Sequence, residues 1–362
     1  MLLIGQLHYE TTSKYNFPQI LKEAEFSRKI VELSLNTMHT IKGKIFQLED
    51  IDLLESFIEA RLDNNPINIK GKIISTFLMP LKPIFDGTPI IGIDVSSIKI
   101  GTTEAGAIYA VRGAIVLKVN GRYRYLRFGP LPFHVTGENT YEIFKELSKD
   151  FLLNSRSPQV EPQKWLCNLV ERWLQAQVSH LAKDSIILWD GSLTAGVSKR
   201  SAADLSKILK TARENSNIVM AFSKDTTLRF LDRRITDLVA RYESPCLFEI
   251  DSLPLSPQNF MRLLGRVYVA KLAKRGCAFR LDIDRTISRE ESIVAVEKLL
   301  GNDIVYQGYP ETLRLAHIYS TFTAGDVIGI GRFLVRRYGL RLIPKYNMHR
   351  TLFGPYGTRL GD

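Results

Sequence analysis

Cysteine is almost missing from this chain. The 362 residues hold three, Cys167, Cys246 and Cys277, far apart and with no C-x-x-C spacing. A disulfide framework and a zinc knuckle are therefore not expected, and a reducing compartment is. Long apolar runs are also missing. The opening Met-Leu-Leu-Ile turns polar at Gln6, which is too short for a signal peptide. No stretch approaches the ~20 apolar residues of a membrane span. The expectation is an intracellular, cytoplasmic protein with no membrane partner. Gly101 to Gly106 has the glycine spacing of a phosphate-binding loop but lacks the Lys-Ser/Thr that should follow, so nucleotide hydrolysis is unsupported. G-x-G-x-x-G, G-x-S-x-G and H-E-x-x-H do not occur, and there is no internal repeat.

What is present is an ordinary globular composition with an excess of base. Hydrophobic residues make up 45% and charged residues 24%, and the formal net charge is +11. A chain of this length can bury a real core without staples. The positive balance favours a polyanionic partner, nucleic acid first. Its distribution sharpens that reading. Arg112 to Arg127 holds five basic residues and no acid, Arg262 to Arg280 six, and Arg332 to Arg359 seven. Aromatics such as Tyr123, Tyr125 and Phe128 lie among them. Cations neutralise phosphates, and aromatic faces stack on unpaired bases.

Periodicity outlines the fold. Residues from about 17 to 63 read as helical, and Pro80, Pro83, Asp86-Gly87 and Pro89 form a turn-rich connector. Pro89-Ile-Ile-Gly-Ile-Asp94 reads as a buried strand. Ala105 to Val119 and Arg122 to Phe128 read as a hairpin about Gly121. Helices follow at 138–152 and 161–183, then a strand from Ser185 to Asp190, a helix at 202–213, a strand at 218–222 and a helix at 228–241. A second hairpin about Gly276 and three helices, at 289–300, 311–322 and 327–338, complete the chain. The order implies an α/β fold with an RNase H-like mixed β-sheet core flanked by helices. The expected division is an N-terminal mainly helical region at 1–85, a catalytic domain at 86–325, and a C-terminal helix with a basic tail at 326–362.

Asp94 and Asp190 carry the chemistry. Each closes an apolar strand and is followed by small or polar residues. If the two strands are neighbours, the carboxylates converge and repel unless a cation lies between them. Mg²⁺ and Mn²⁺ prefer such oxygen ligands and can clamp phosphate oxygens. A third ligand is wanted; Glu171, Glu104, Glu138, Asp282 and Asp284 are rivals. Gly308-Tyr309-Pro310 opens a helix, with His317 about two turns on. A histidine can shuttle a proton, and a tyrosine hydroxyl can position an oxygen. Lys224, after a strand, and Arg122, Arg124 and Arg127 are candidate phosphate contacts.

Together, Ile-Asp94-x-Ser-Ser, Leu-Trp-Asp190-Gly-Ser-Leu and Gly-Tyr309-Pro with His317 eight residues on resemble the NurA nucleases. The likeness runs from about Pro89 to Phe322. It implies an RNase H-like, Mn²⁺- or Mg²⁺-dependent nuclease acting on DNA ends. It further implies that Asp94, Glu171 and Asp190 hold metal, with Tyr309 and His317 completing the site. The implied partners are DNA, a second copy in a homodimer, and a HerA-type hexameric helicase in end resection for recombinational repair. One position departs: the family typically has Gly after its first Asp, and Val95 stands here, where it would crowd the substrate. That departure leaves open a weakly active or non-catalytic DNA-binding subunit; an enzyme acting on RNA or hybrids is the other alternative.

Overall fold

The computed structural model describes residues 25–48, 67–68, 78–148, 161–195, 199–224, 226, 228–230, 233–250 and 262–343. Its centre is an eleven-stranded mixed sheet among the described residues. The strands are β1 (Ile45–Leu48), β2 (Leu78–Pro80), β3 (Ile90–Thr103), β4 (Gly106–Val119), β5 (Arg122–Thr136), β6 (Ile186–Asp190), β7 (Ile218–Ser223), β8 (Cys246–Glu249), β9 (Gly265–Lys271), β10 (Phe279–Asp284) and β11 (Arg341–Ile343). The helices are α1 (Glu25–His39), α2 (Thr140–Ser148), α3 (Pro162–Leu181), α4 (Lys199–Glu214), α5 (Ile235–Val239), α6 (Arg289–Asn302), α7 (Glu311–Ser320) and α8 (Ala324–Tyr338).

β3, β4 and β5 form an antiparallel meander, and β6 and β7 add in parallel on the other side of β3. This is the expected RNase H-like order. The first hairpin closes on Asn120 and Gly121, both at positive φ, a pair suited to the tight turn whose twist matches the strands. Beyond β7, the order continues through β10, β9, β8 and β2.

Alternation along β3 decides what each side of the sheet receives. Ile91, Ile93 and Val95 enter one core with Ile187 and Trp189 of β6 and with Trp165, Leu169 and Trp173 of α3. Each fully buried side chain of this size contributes roughly 2 kcal/mol. The other face receives Ile90, Ile186, Leu188, Met220 and Phe222, covered by Leu299 of α6 and Leu313 of α7. Gly92 lies on this second face. A Cβ there would stand 2.7 Å from the Thr312 carbonyl oxygen and 3.0 Å from the Leu313 Cα. The missing side chain is what lets α7 lie directly on β3.

The sheet departs from the sequence reading in several places. β3 does not stop at Asp94 but runs to Thr103, because β4 pairs with it along that whole length. Within the 17–63 span, the described residues hold one helix, α1, and then β1, which pairs with the far end of β3 and with β11. The 228–241 helix is replaced by a short strand at Leu228–Phe230 and the single turn α5. Phe230 and Arg233 instead pair across a hairpin. β8 is an extra strand that no periodicity marked. The residues after Ile343, including most of the basic tail, lie outside the described residues. Met38, Phe46, Ile100, Leu334 and Tyr338 share one core, so elements from both ends of the chain meet on the sheet's far edge.

Gly92→Ala is expected to cost about 1–3 kcal/mol, the usual range for overpacking, and to lower Tm by several degrees in a thermal melt. An unchanged Tm would mean that α7 is not seated on β3 as described.

Candidate active site

Register brings the two aspartates together. Ile93 of β3 pairs with Trp189 of β6 in parallel alignment, so the next residues, Asp94 and Asp190, are neighbours pointing to the same face. β6 and β7 end here, at Asp190 and Ser223, while β3 continues. The site is therefore a ledge on β3 beyond the carboxyl ends of the parallel strands, where α/β sheets place functional groups.

α7 supplies the third member. Its N-terminus is fixed by the preceding hairpin, where Tyr306 pairs with Tyr309 and Gln307 and Gly308 both take positive φ. A Cβ on Gly308 would meet the Cys277 carbonyl at 2.3 Å, so glycine is required twice over. The helix then carries His317 to the carboxylates. Its Nδ1 lies 3.3 Å from Asp94 Oδ2 and 3.9 Å from Asp190 Oδ2. Ligand atoms of Asp94, Asp190 and His317 all lie within 4.8 Å of one another.

Other groups offset the paired negative charge. Lys224, just past β7, places Nζ 2.6 Å from Asp190 Oδ2. The buried Ser320 hydroxyl donates to Asp94 Oδ2. Tyr309 is buried with its ring edge-on to Phe222 and Phe279. Its hydroxyl faces the carboxylate of Asp190. Burial, and then the charges of Asp190 and Asp94, push that hydroxyl far above the usual tyrosine range. It stays protonated and can only donate or accept a hydrogen bond near the carboxylates.

Glu171 is not in the triad. It sits on α3, on the opposite side of the sheet, and its Oε1 accepts from Gln175 Nε2 at 2.9 Å. Burial raises its carboxyl from 4.5 to about 7; the Arg172 charge opposes that shift, and the Asp94 and Asp190 charges add to it. It therefore feels the site without its oxygens joining the cluster. Of its rivals, Asp282 accepts both Arg280 Nε and Nη2 at 2.7 and 2.8 Å. It also accepts the Leu193 N–H at 3.0 Å. Asp284 is paired with Arg213 and Thr286. Both serve structure.

Alternation divides the basic strand. Arg127 pairs with Ala114, which pairs with Asp94; directly opposed residues share a face, so Arg127 is on the side of the site. Its neighbour on that face, Tyr125, stacks on Tyr319 of α7 with centroids 4.2 Å apart. Arg122 and Arg124 point to the other side, since Arg124 is aligned through Leu117 with Ile91. Sequence reasoning passed over Ser320, and took Ser96 only as part of the Ile-Asp94-x-Ser-Ser motif; a short polar residue at a helix end gives no signal of its own.

The model of the NurA domain matches residues 88–320, most of the chain and all of the site. The chain belongs to the NurA family. It is a family of nucleases, hydrolases of phosphodiester bonds. The crystal structure of the NurA nuclease from Sulfolobus solfataricus is similar at 16% identity, with a TM-score of 0.50, covering 87% of this chain and 98% of that one. Endonuclease V of Bacillus subtilis is similar at 9% identity and a TM-score of 0.32, over 73% and 90% of the two chains. Aquifex aeolicus Argonaute reaches 10% and 0.23, over 65% and 28%; scores this low bear on neither fold nor function. No curated protein matches the chain.

Against the glycine typical of NurA domains, Val95 does not crowd the site. Its side chain is 8% exposed and packs in the α3 core, one step out of phase with Asp94. The carboxylate's surroundings are set by Gly92, Ser96 and α7 instead.

The raised carboxyl of Glu171 gives a pH test. The folded protein holds that proton up to about 7, while the unfolded chain releases it near 4.5. Stability should therefore decline as pH climbs through that window in EDTA, by at most roughly 3 kcal/mol from this group. Glu171→Gln should flatten the decline in denaturant titrations at pH 5 and pH 8. An equal decline in the variant would remove Glu171 from the buried electrostatics of the site.

Proposed function

We propose that this chain is a divalent-metal-dependent DNA nuclease that trims DNA ends. The convergence of Asp94, Asp190 and His317 within 4.8 Å carries the reading. Two carboxylates and an imidazole form a donor set suited to Mn²⁺, and to Mg²⁺ where water completes an oxygen shell. The buried Tyr309 hydroxyl beside Asp190 adds a neutral polar group to that donor set. When bound, such an ion polarises a phosphate oxygen and lowers the pKa of attacking water.

The chain's own residues do the rest. Asp94 and Asp190 would hold the cation; the family resemblance adds Glu171 as a ligand, although its oxygens lie outside the Asp94–Asp190–His317 cluster. His317, partly exposed on its helix, can carry a proton between the site and solvent. Tyr309 keeps its proton and can steady an oxygen by hydrogen bonding. Lys224 can leave Asp190 for a phosphate once a cation replaces its charge. Arg127, on the face of the site, holds the DNA backbone, and Arg122 and Arg124 extend the basic surface on the other face. The resemblance further supports end resection in recombinational repair, as a homodimer working with a HerA-type helicase.

End-labelled linear DNA incubated with Mn²⁺, Mg²⁺ or EDTA tests the core of this reading. Cleavage should require metal, and Asp190→Ala should lower its rate at least 100-fold while DNA binding persists. Cleavage in EDTA, or a variant as fast as the parent, would overturn it. Arg127→Ala should weaken DNA binding several-fold and reduce the salt slope by about one, read by binding isotherms at three salt concentrations; unchanged binding would remove Arg127 from the interface.

A further inference from the structure

We propose that Ser320, backed by Ser96, is a positioning residue that sets the cation affinity of the site through Asp94. The inference rests on the metal-dependent reading given above. Ser320 is the last residue of α7 and fully buried. Its Oγ contacts Asp94 Oδ2, the same oxygen that faces His317. It also lies 3.0 Å from the His317 carbonyl and 3.1 Å from Ser96 Oγ.

The donor count fixes the direction of the chain. A serine hydroxyl has one hydrogen. A carboxylate is a stronger acceptor than a peptide carbonyl, so the Ser320 proton goes to Asp94. Ser96, two residues along β3 on the same face, must then donate to Ser320. The result is an ordered relay, Ser96 to Ser320 to Asp94. It fixes the rotation of the carboxylate.

Ser320 is itself held in place from outside the site. Buried Arg112 of β4, aligned with Ser96 across the hairpin, donates Nη1 to the Thr321 carbonyl at 3.2 Å. Its two terminal nitrogens also bind Asp326 at 3.2 and 2.8 Å. Asp326 caps the start of α8 together with Thr323. The junction between α7 and α8 is thus tied to the strand beside β3, and Ser320 cannot drift from Asp94 without breaking that anchor. Groups that orient a metal ligand in this way commonly govern affinity by 10–100-fold.

Ser320→Ala removes the hydroxyl and keeps the packing. Mn²⁺ titration of the purified full chain, followed by thermal shift and by calorimetry, reads the effect without catalysis. The variant should melt near the parent in EDTA and bind Mn²⁺ about 10-fold more weakly, with most cleavage restored at saturating Mn²⁺. Ser96→Ala should show a smaller loss, about 2–5-fold. Parental Mn²⁺ affinity in folded Ser320→Ala overturns the proposal. So does parental affinity in Ser96→Ala should Ser320→Ala fail to fold. A parent chain that itself binds no Mn²⁺ sinks the metal reading and this inference with it, whereas a binding parent with indifferent variants sinks this inference alone.

Discussion

The mutual repulsion of Asp94 and Asp190 is the constraint around which the molecule is arranged. Carboxylates with oxygens within 4.8 Å of each other repel by roughly 3 kcal/mol at an effective dielectric near 20. The sheet register that imposes this is held by the whole hydrophobic core on both sides, so the strands cannot relax apart. Charge is instead balanced locally by Lys224 and the Ser320 hydroxyl. Holding like charges together at a cost in stability is a relation between strain and function common to active sites.

α7 is the second half of the same design. It brings the histidine and the serine to carboxylates that belong to β3 and β6, strands far earlier in the chain. Its seat depends on Gly92, its entry on Gly308, and its exit on the Arg112–Asp326 pair. Each is a close-approach or anchoring device remote from the reacting atoms. A change at any of them acts on the site by moving a helix.

The alternation of β3 explains why a valine can replace the family's glycine beside the first aspartate. Odd positions feed the α3 core, and even positions feed the site. Val95 therefore adds to packing, while a side chain at Gly92, on the site face, would meet the backbone of α7. The same parity splits the run of arginines on β5, which looks continuous in one dimension and is divided between two faces in three.

The sequence by itself determined the strand–hairpin–helix–strand order, the two aspartates at matching places, and the Gly-Tyr-Pro-to-His block. Those features are written in local patterns: apolar runs, turn residues and helix entry signals. Tertiary structure decided the length of β3, the strand character of Ile45–Leu48 and the loss of a helix at 228–241, because partners across the sheet override local preference. It also decided which third group joins the aspartates. In the sequence Glu171 is one of several rival carboxylates, raised above them by the family resemblance, and His317 is a candidate proton shuttle. Only the packing of α7 on Gly92, with α3 on the opposite face, sends the imidazole into the cluster and leaves the glutamate behind the sheet.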